Sequence, residues 1–368
     1  MDEKVYYAAL NKCFNGNWKT ARSLIRHFGS AKAVFSAGRR ELSLLLPGMD
    51  SAVQQLTSAG LQEDAADEMD YYRREGMQVL CINDEDYPYR LAETPDAPLV
   101  LFVKGRRKLS GARLLAIVGT RHCTQYSKKY CDRIAEYMSS LKVKPVIVSG
   151  MAYGVDTWAH QSALRYGLDT IAVTATGLDT VYPSSNRNLA GQIVERGAIV
   201  TEYWRDTPAY PSNFISRNRI IAGLCDATVV VESRIHGGSL ITARAAFNYD
   251  RQVFAFPGKL EDECYEGCNL LIAESIACLA RSAAHIGTEL GWIPEAGGDG
   301  DAGRQSRFAS LSPQKQEILR VLRRGGEMDA AMIAASCAYN ISNVSYLLLE
   351  MELEGLVKHV SANKYLYL

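Results

Sequence analysis

The sequence predicts an α/β protein: a doubly wound parallel-sheet, Rossmann-like domain flanked by a small N-terminal helical domain (SAM/helix-hairpin-helix-like) and a C-terminal winged helix. Three observations predict it. From about Leu114 the runs "LLAIVGT", "VKPVIVSG", "TIAVTATG", "AIVTEY", "ATVVVES" and "QVFAFPG" are apolar throughout. Each is followed by a loop and mostly by a helix-like segment, such as 127–141 or 239–249. Strands that are apolar on both faces and alternate with helices mean a parallel sheet covered on both sides. Upstream and downstream of this region the period is helical.

Taken in order, residues 1–75 carry helix-period spacing in "ARSLIRHFG" and "ELSLLLPGMDSAVQQL", with Gly29 and Gly48 at helix ends. The "LLPGMDSA" turn resembles a helix-hairpin-helix, whose amides can grip a DNA phosphate. The segment is acidic with no basic residue beside the turn, which favours a packing turn. Residues 76–292 form the Rossmann-like domain, opened by a lead-in over 76–110 with a short strand and Pro-rich turns that packs on the sheet edge. Residues 293–310 are rich in Gly, Asp and Ser and read as a flexible linker. In 311–368, Ser312 caps a helix with Pro313 at its first position, and three helical segments end in the hairpin "LVKHVSANKYLYL", the pattern of a winged helix.

Composition sets the class. A chain of 368 residues exceeds one usual domain. No apolar run approaches a membrane span and the opening "MDEKVYYAALNKCF" does not read as a leader, so the expectation is a soluble, cytoplasmic protein with no membrane partner. Nine cysteines are scattered without a C-x-x-C pair and read as reduced thiols. Cys264 and Cys268, four apart, lack the companion pair that zinc requires, so no metal and no cofactor are expected. The net charge of zero hides a division: residues 104–292 hold 22 basic and 17 acidic side chains, while residues 1–103 hold 11 and 15.

In open parallel sheets ligands bind beyond the carboxyl ends of the strands, and every unusual turn falls at such an end. Gly119-Thr120-Arg121 combines a tight turn with a planar, permanently charged fork suited to phosphate. Ser149-Gly150-Met151-Ala152-Tyr153-Gly154 precedes a helical segment over 158–166, where small residues and a helix start suit an anion. This is not G-x-G-x-x-G, and Ser149 and Gly150 stand where a dinucleotide site wants an acidic residue, which disfavours NAD. Asp156 reads equally as a cap or as a ligand. In "NFISRNRIIAGL", Asn213 and Phe214 precede Arg217, Asn218 and Arg219; two arginines in one turn are costly to bury without anions, and the ring offers a surface for a base. Gly237-Gly238-Ser239 opens another helix. Several anion sites along one face suit a polymer of phosphates better than one small molecule.

The same residues bear on an enzymatic alternative. Rossmann-like nucleotide phosphoribohydrolases carry a Pro-Gly-Gly loop with a catalytic glutamate; here "HGGSLITARAAF" has His236 in place of the proline and no carboxylate before Asp250. Glu202 and Glu232 end strands and are the remaining candidates for such a nucleotide-hydrolysing activity, while His160 and His236 lack an identifiable partner carboxylate.

The words "YPYRLAETPDAPLVLFVKG", "AIVGTR", "SGMAYGVDTWAH", "GLDTVYPSSNRNL", "RNRIIAGL", "GGSLITARAA" and "FAFPG" followed by "EGCNLLI", in this order, resemble the DNA-processing protein A family (DprA, also called Smf) over roughly residues 86–275. The resemblance implies a non-enzymatic protein that binds single-stranded DNA during natural transformation. It further implies dimerisation through the Rossmann-like domain and loading of the RecA recombinase past single-strand-binding protein. Carried over, the family's DNA-contacting arginine falls on Arg121, its glycine loop on Ser149–Gly154, its R-N-R signature on Arg217, Asn218 and Arg219, and its aromatic on Phe214. Two departures stand out. Gly237-Gly238-Ser239 replaces the frequent Ser-Gly-Ser, and Ser184 replaces the lysine after "YP", moving the expected basic contact to Arg187.

The third helix of the winged-helix region, over 341–355, carries Glu350, Glu352 and Glu354 and no Lys or Arg. An acidic helix repels phosphate, so this domain is expected to contact protein instead of reading a DNA groove.

Overall fold

Each of the six apolar runs is a strand, and all six lie parallel in one sheet. The computed structural model describes residues 2–292, 311–326, 328–353, 356–361 and 364–367; the linker expected at 293–310 lies outside them. The chain divides into two compact units, Met1–Glu295 and Ala296–Leu368.

The first unit opens with six helices, α1 (Glu3–Cys13), α2 (Trp18–Phe28), α3 (Ala31–Ser36), α4 (Arg39–Leu45), α5 (Asp50–Leu56) and α6 (Gly60–Arg74). The lead-in supplies β1 (Gln78–Cys81), the short α7 (Tyr89–Ala92) and β2 (Val100–Gly105). Then strand and helix alternate: β3 (Leu114–Val118), α8 (Gln125–Ser139), β4 (Val146–Ser149), α9 (Val155–Arg165), β5 (Thr170–Val173), α10 (Arg187–Arg196), β6 (Ala198–Thr201), α11 (Pro211–Leu224), β7 (Ala227–Val230), α12 (Gly238–Asn248), β8 (Gln252–Ala255), α13 (Glu266–Ala273), β9 (Cys278–Leu279) and α14 (Ala283–Glu289).

The strand order is β1-β2-β6-β5-β4-β3-β7-β8-β9. From β6 to β9 every pairing is parallel, while β1 and β2 add antiparallel at the β6 edge. The chain winds from β3 out to β6 and then returns to place β7 on the other side of β3. That reversal makes the carboxyl ends of β3 and β7 the topological switch point, where adjacent loops diverge and a crevice opens.

The core does not stop at the change of period near residue 75. One apolar cluster runs from Leu10, Leu24 and Leu56 through Tyr72 to Leu99, Phe102 and Ala172. Tyr72 on α6 stacks on Phe102 of β2, with ring centroids 4.3 Å apart. Polar ties reinforce the packing: Asn11 donates to Glu202 O at 3.0 Å and accepts from Leu99 N at 3.1 Å, and Arg22 donates to Thr94 O at 2.7 Å. The helical region is therefore a buttress on the sheet.

The second unit contains α15 (Pro313–Gly325), β10 (Met328–Asp329), α16 (Ala330–Cys337), α17 (Ile341–Leu353), β11 (Val357–Ser361) and β12 (Lys364–Tyr367), with an antiparallel sheet of order β10-β12-β11. Ser312 caps α15 through the N–H of Lys315, and Ile318, Leu322, Ile333, Val344 and Leu348 fill its core. On α17, Glu350 pairs with Lys315 at 3.0 Å; Glu354 lies outside the described residues. Among the described residues no single helix is long and apolar enough to cross a membrane.

Because Phe102 is fully buried where the helical buttress meets the sheet, Phe102→Ala should destabilise the first unit by about 3–5 kcal/mol. Guanidinium denaturation followed by circular dichroism measures it; a loss below about 1 kcal/mol would mean that the helices and the sheet do not share this core.

Candidate nucleic-acid interface

The switch point is a cleft of about 510 Å³. Its walls come from four segments distant in sequence: the turn after β3 (Gly119, Thr120, Arg121), the loop after β4 (Ala152), α11 (Phe214, Arg217, Asn218) and the start of α12 (Gly237, Gly238, Ser239). Ten of the residues singled out in the sequence thus meet at one place. Tyr182, His122 and Ile215 also line it and went unselected in the sequence, although Tyr182 stands inside the "GLDTVYPSSNRNL" word, two residues before Ser184.

Hydrogen bonds lace the loops at this rim. Thr120 N donates to Glu232 O at 2.8 Å, joining the turns after β3 and β7. Val155 N donates to Thr120 O at 3.1 Å, joining those after β3 and β4. Asn186 donates to Met151 O at 3.0 Å and to Thr157 Oγ1 at 2.8 Å. Asn213 donates to Ala175 O and Pro208 O, both at 3.3 Å, and Asn218 donates to Gly238 O, also at 3.3 Å.

Arg217 is 3 % exposed and forms the cleft's floor. Its Nη1 donates to Gly150 O at 2.7 Å and to Val173 O, tying α11 to the ends of β4 and β5. Burial pulls the guanidinium below its ordinary value and the neighbouring Asp156 opposes that shift. A Cβ on Gly150 would collide with this guanidinium and with the Asp156 carboxylate. The glycine is required by the arginine. Likewise Gly154, at φ +78°, has the backbone of Thr120 and Arg121 where a Cβ would stand. Gly119 and Gly237 face Val155 and Ser233 in the same way, whereas Gly238 faces open space.

The rim aromatics are held by cations. The Arg121 guanidinium, exposed at the cleft mouth, lies 5.1 Å from the Phe214 ring centroid, and that of Arg217 lies 6.0 Å from it. Tyr182 meets Phe214 edge-on with centroids 5.3 Å apart and is 37 % exposed. Phe214 is therefore a half-buried support with three neighbours, and Tyr182 presents the freer ring.

Three of the helices that begin at this rim, α8, α9 and α12, differ at their N-termini. That of α8 is capped by Thr124 and faces the buried Glu232 carboxylate, which accepts from Thr124 N at 3.0 Å, from Thr124 Oγ1 at 2.7 Å and from Ser127 Oγ. That of α9 has no side-chain cap but carries Asp156 in its first turn, whose carboxylate accepts from Ala152 N at 3.4 Å; burial raises this carboxyl and Arg217 lowers it. Only that of α12 among the three has neither a side-chain cap nor an acidic residue in its first turn, and it opens into the cleft. Unpaired N–H groups at such an end accept anions.

Several sequence expectations change accordingly. The Ser149–Gly154 loop, expected to accept a phosphate, already has an internal anion in Asp156; Ser149 donates to Ile117 O at 2.6 Å and Met151 is buried. Asp156 thus acts within the protein, tying the loop after β4 to α9 and facing Arg217, although α9 has no side-chain cap. Arg219 lies outside the cleft lining: it is 7 % exposed, pairs with Glu202 at 2.5 Å and lies 3.5 Å over the Trp18 ring. Neighbours in the R-N-R signature point to opposite sides of α11 because successive odd positions on a helix are about 200° apart. Asn213 is buried in loop-lacing bonds, and Arg187, the first residue of α10, is exposed outside the cleft lining. His160 is fully buried against Thr170 Oγ1 at 2.6 Å, while His236 is exposed.

A family model described as DNA recombination-mediator protein A matches residues 78–291. The DNA processing protein DprA of Streptococcus pneumoniae is 42% identical over 193 residues, which span 52% of this chain and 67% of that protein. Its X-ray structure is similar with a TM-score of 0.57 at 30% identity, covering 74% of this chain and 97% of that one. DNA processing protein A from Helicobacter pylori, described for its single-stranded DNA binding mode, is similar with a TM-score of 0.52 at 30% identity, covering 58% of this chain and 95% of that one.

Two measurements test the local geometry. Gly150→Ala should cost roughly 1–3 kcal/mol by forcing the Arg217 guanidinium aside, and Gly238→Ala should cost less than about 0.5 kcal/mol; equal melting temperatures for the two variants would contradict the packing described. His160 is pushed down to about 3 by burial. Its folded value is the depressed one, so as pH falls below about 6.5 the unfolded chain gains a proton that the native protein refuses, and stability drops. Urea denaturation at pH 7 and pH 5 should show a smaller loss for His160→Asn than for the unsubstituted protein.

Proposed function

The chain belongs to the DNA recombination-mediator protein A family, and on that premise we propose that it is a DNA-processing protein of natural transformation that binds single-stranded DNA with little regard to sequence. One observation carries the reading: Arg121, Arg217, the open N-terminus of α12 and the Phe214–Tyr182 ring pair converge on a single cleft at the carboxyl rim. Arg121 neutralises a phosphate at the mouth, and the first N–H groups of α12 accept a second. Tyr182 stacks a base, with Phe214 behind it. Arg217 adds fixed positive charge from below, at the place where its bonds to Gly150 O and Val173 O hold it. None of these contacts reads a base edge, so affinity comes from charge and stacking.

The protein acts without catalysing a reaction. Glu202 and Glu232, the strand-end carboxylates a nucleotide hydrolase would need, are buried and each is engaged through one oxygen: Glu202 with Arg219, and Glu232 with Thr124 and Ser127. Among the described residues, neither lines the cleft. The Ser239 hydroxyl donates to Ser233 Oγ at 2.8 Å and has no base beside it. In this reading the protein protects incoming strands in the cytoplasm as a homodimer and passes them to the RecA recombinase against single-strand-binding protein. The helices of the first unit around the 46–49 turn serve as its SAM/helix-hairpin-helix-like accessory domain. The second unit is a winged helix whose α17, with Glu350 and Glu352 and no Lys or Arg, engages protein.

Titration of labelled oligo-dT separates the readings. Arg121→Ala should weaken binding to all sequences alike and make the log–log salt slope shallower by about 0.7. Tyr182→Leu should cost about 1–3 kcal/mol with the slope unchanged. Arg217→Ala should lower affinity and melting temperature together. Unchanged affinity in all three variants, or release of base from mononucleotides in a parallel assay, would sink the proposal.

A further inference from the structure

The cleft holds too few contacts to exhaust the rim. Beyond its mouth, on the side of α8 and α9, lies a second group of rings and cations. Tyr153 is 50 % exposed and Tyr126 is 70 % exposed. Lys128 Nζ lies 4.9 Å from the Trp158 ring centroid, the Arg165 guanidinium lies 5.8 Å from it, and Lys129 is exposed one residue further along α8. Arg165 is neutralised by Asp132 at 2.7 Å. No ion pair within 4.0 Å engages Lys128 or Lys129 among the described residues.

Two features join this group to the cleft. Gly154 is packed on the backbone of Thr120 and Arg121, which sets Tyr153 beside the arginine turn. The helices α8 and α9 both begin at the rim, so Tyr126, Lys128, Lys129 and Trp158 all fall within their first two turns. Because Glu232 and Asp156 place carboxylates at the two helix starts, the lysines, and not the helix dipoles, supply the outward positive charge. Exposed aromatic rings interleaved with unpaired cations are the chemistry of a sequence-tolerant single-strand track.

We infer that a single strand seated in the cleft runs on over Tyr153 to Tyr126, which stack further bases, while Lys128 and Lys129 take the phosphates between them. Trp158 is a positioning residue that holds Lys128 against the α8–α9 face. This inference rests on the cleft reading and extends its footprint.

Oligonucleotide length tests it in the full chain. Oligo-dT of about 5 nucleotides fills the cleft alone, whereas about 20 nucleotides reaches the second group. The double variants Tyr126→Ala/Tyr153→Ala and Lys128→Gln/Lys129→Gln should each bind the long strand about tenfold more weakly and the short strand as well as the unsubstituted protein does. The lysine variant should also lose roughly 0.7 of salt slope per lysine on the long strand only. Trp18, Trp204 and Trp292 are buried, so long DNA should perturb tryptophan emission through Trp158, and Trp158→Phe should abolish that signal. Unchanged long-strand affinity in both double variants, or equal losses at the two lengths, would overturn the inference while leaving the cleft standing. Failure of the unsubstituted protein to bind either strand would overturn the cleft reading and this one with it.

Discussion

The structure of the rim depends on one buried cation. Arg217 gives its guanidinium to the carbonyls at the open ends of β4 and β5, where the parallel ladder has run out of partners, and Asp156 balances its charge from across Gly150. A buried guanidinium without such acceptors would be strongly unfavourable, so its position is dictated by them. That position sets the rotation of α11, which in turn places Phe214 at the cleft wall and Asn218 against the start of α12.

Internal anions then choose which helix end stays open. Three of the helices that start at this rim, α8, α9 and α12, offer the same unpaired N–H groups and the same positive end of a dipole. Glu232 places a carboxylate against the start of α8, and Asp156 places one in the first turn of α9. At α12 the residues are Gly237, Gly238 and Ser239, and no carboxylate follows in the first turn, so this end keeps its capacity for an external anion. The acidic residues of the rim thus act by exclusion: they concentrate the anion-binding capacity into the pocket that Arg121 and Arg217 also face.

The other arginine of the R-N-R signature couples this rim to the helical buttress. Arg219 leaves α11 on the far side, where Glu202 neutralises it and the Trp18 ring of α2 covers it. Burial raises the Glu202 carboxyl and Arg219 lowers it, as expected of a desolvated ion pair. Removing either partner alone would leave an uncompensated charge inside the first unit. One helix therefore carries two buried cations, one turned to the cleft and one to the N-terminal helices. The N-terminal region and the interface are thereby parts of one packed body.

Periodicity in the chain was enough to place the alternating strands and helices, because a strand apolar on both faces has no stable alternative to a covered parallel sheet. It was also enough to send Gly119–Arg121 and Gly237–Ser239 to the carboxyl rim, since loop position follows strand direction; Phe214–Asn218 lie inside α11, the helix that follows β6. The role of each charged or glycine residue there was not legible. Arg217 and Arg219 look alike in sequence, and their separation follows from helical twist and from Glu202 and Trp18, which approach from other parts of the chain. The glycines read as room for a phosphate; Gly150 and Gly154 in fact make room for Arg217 and for the neighbouring turn. Whether a cation or an amide remains open to a ligand is settled by long-range neighbours that satisfy or leave unsatisfied its charge, and those neighbours exist only once the chain has folded.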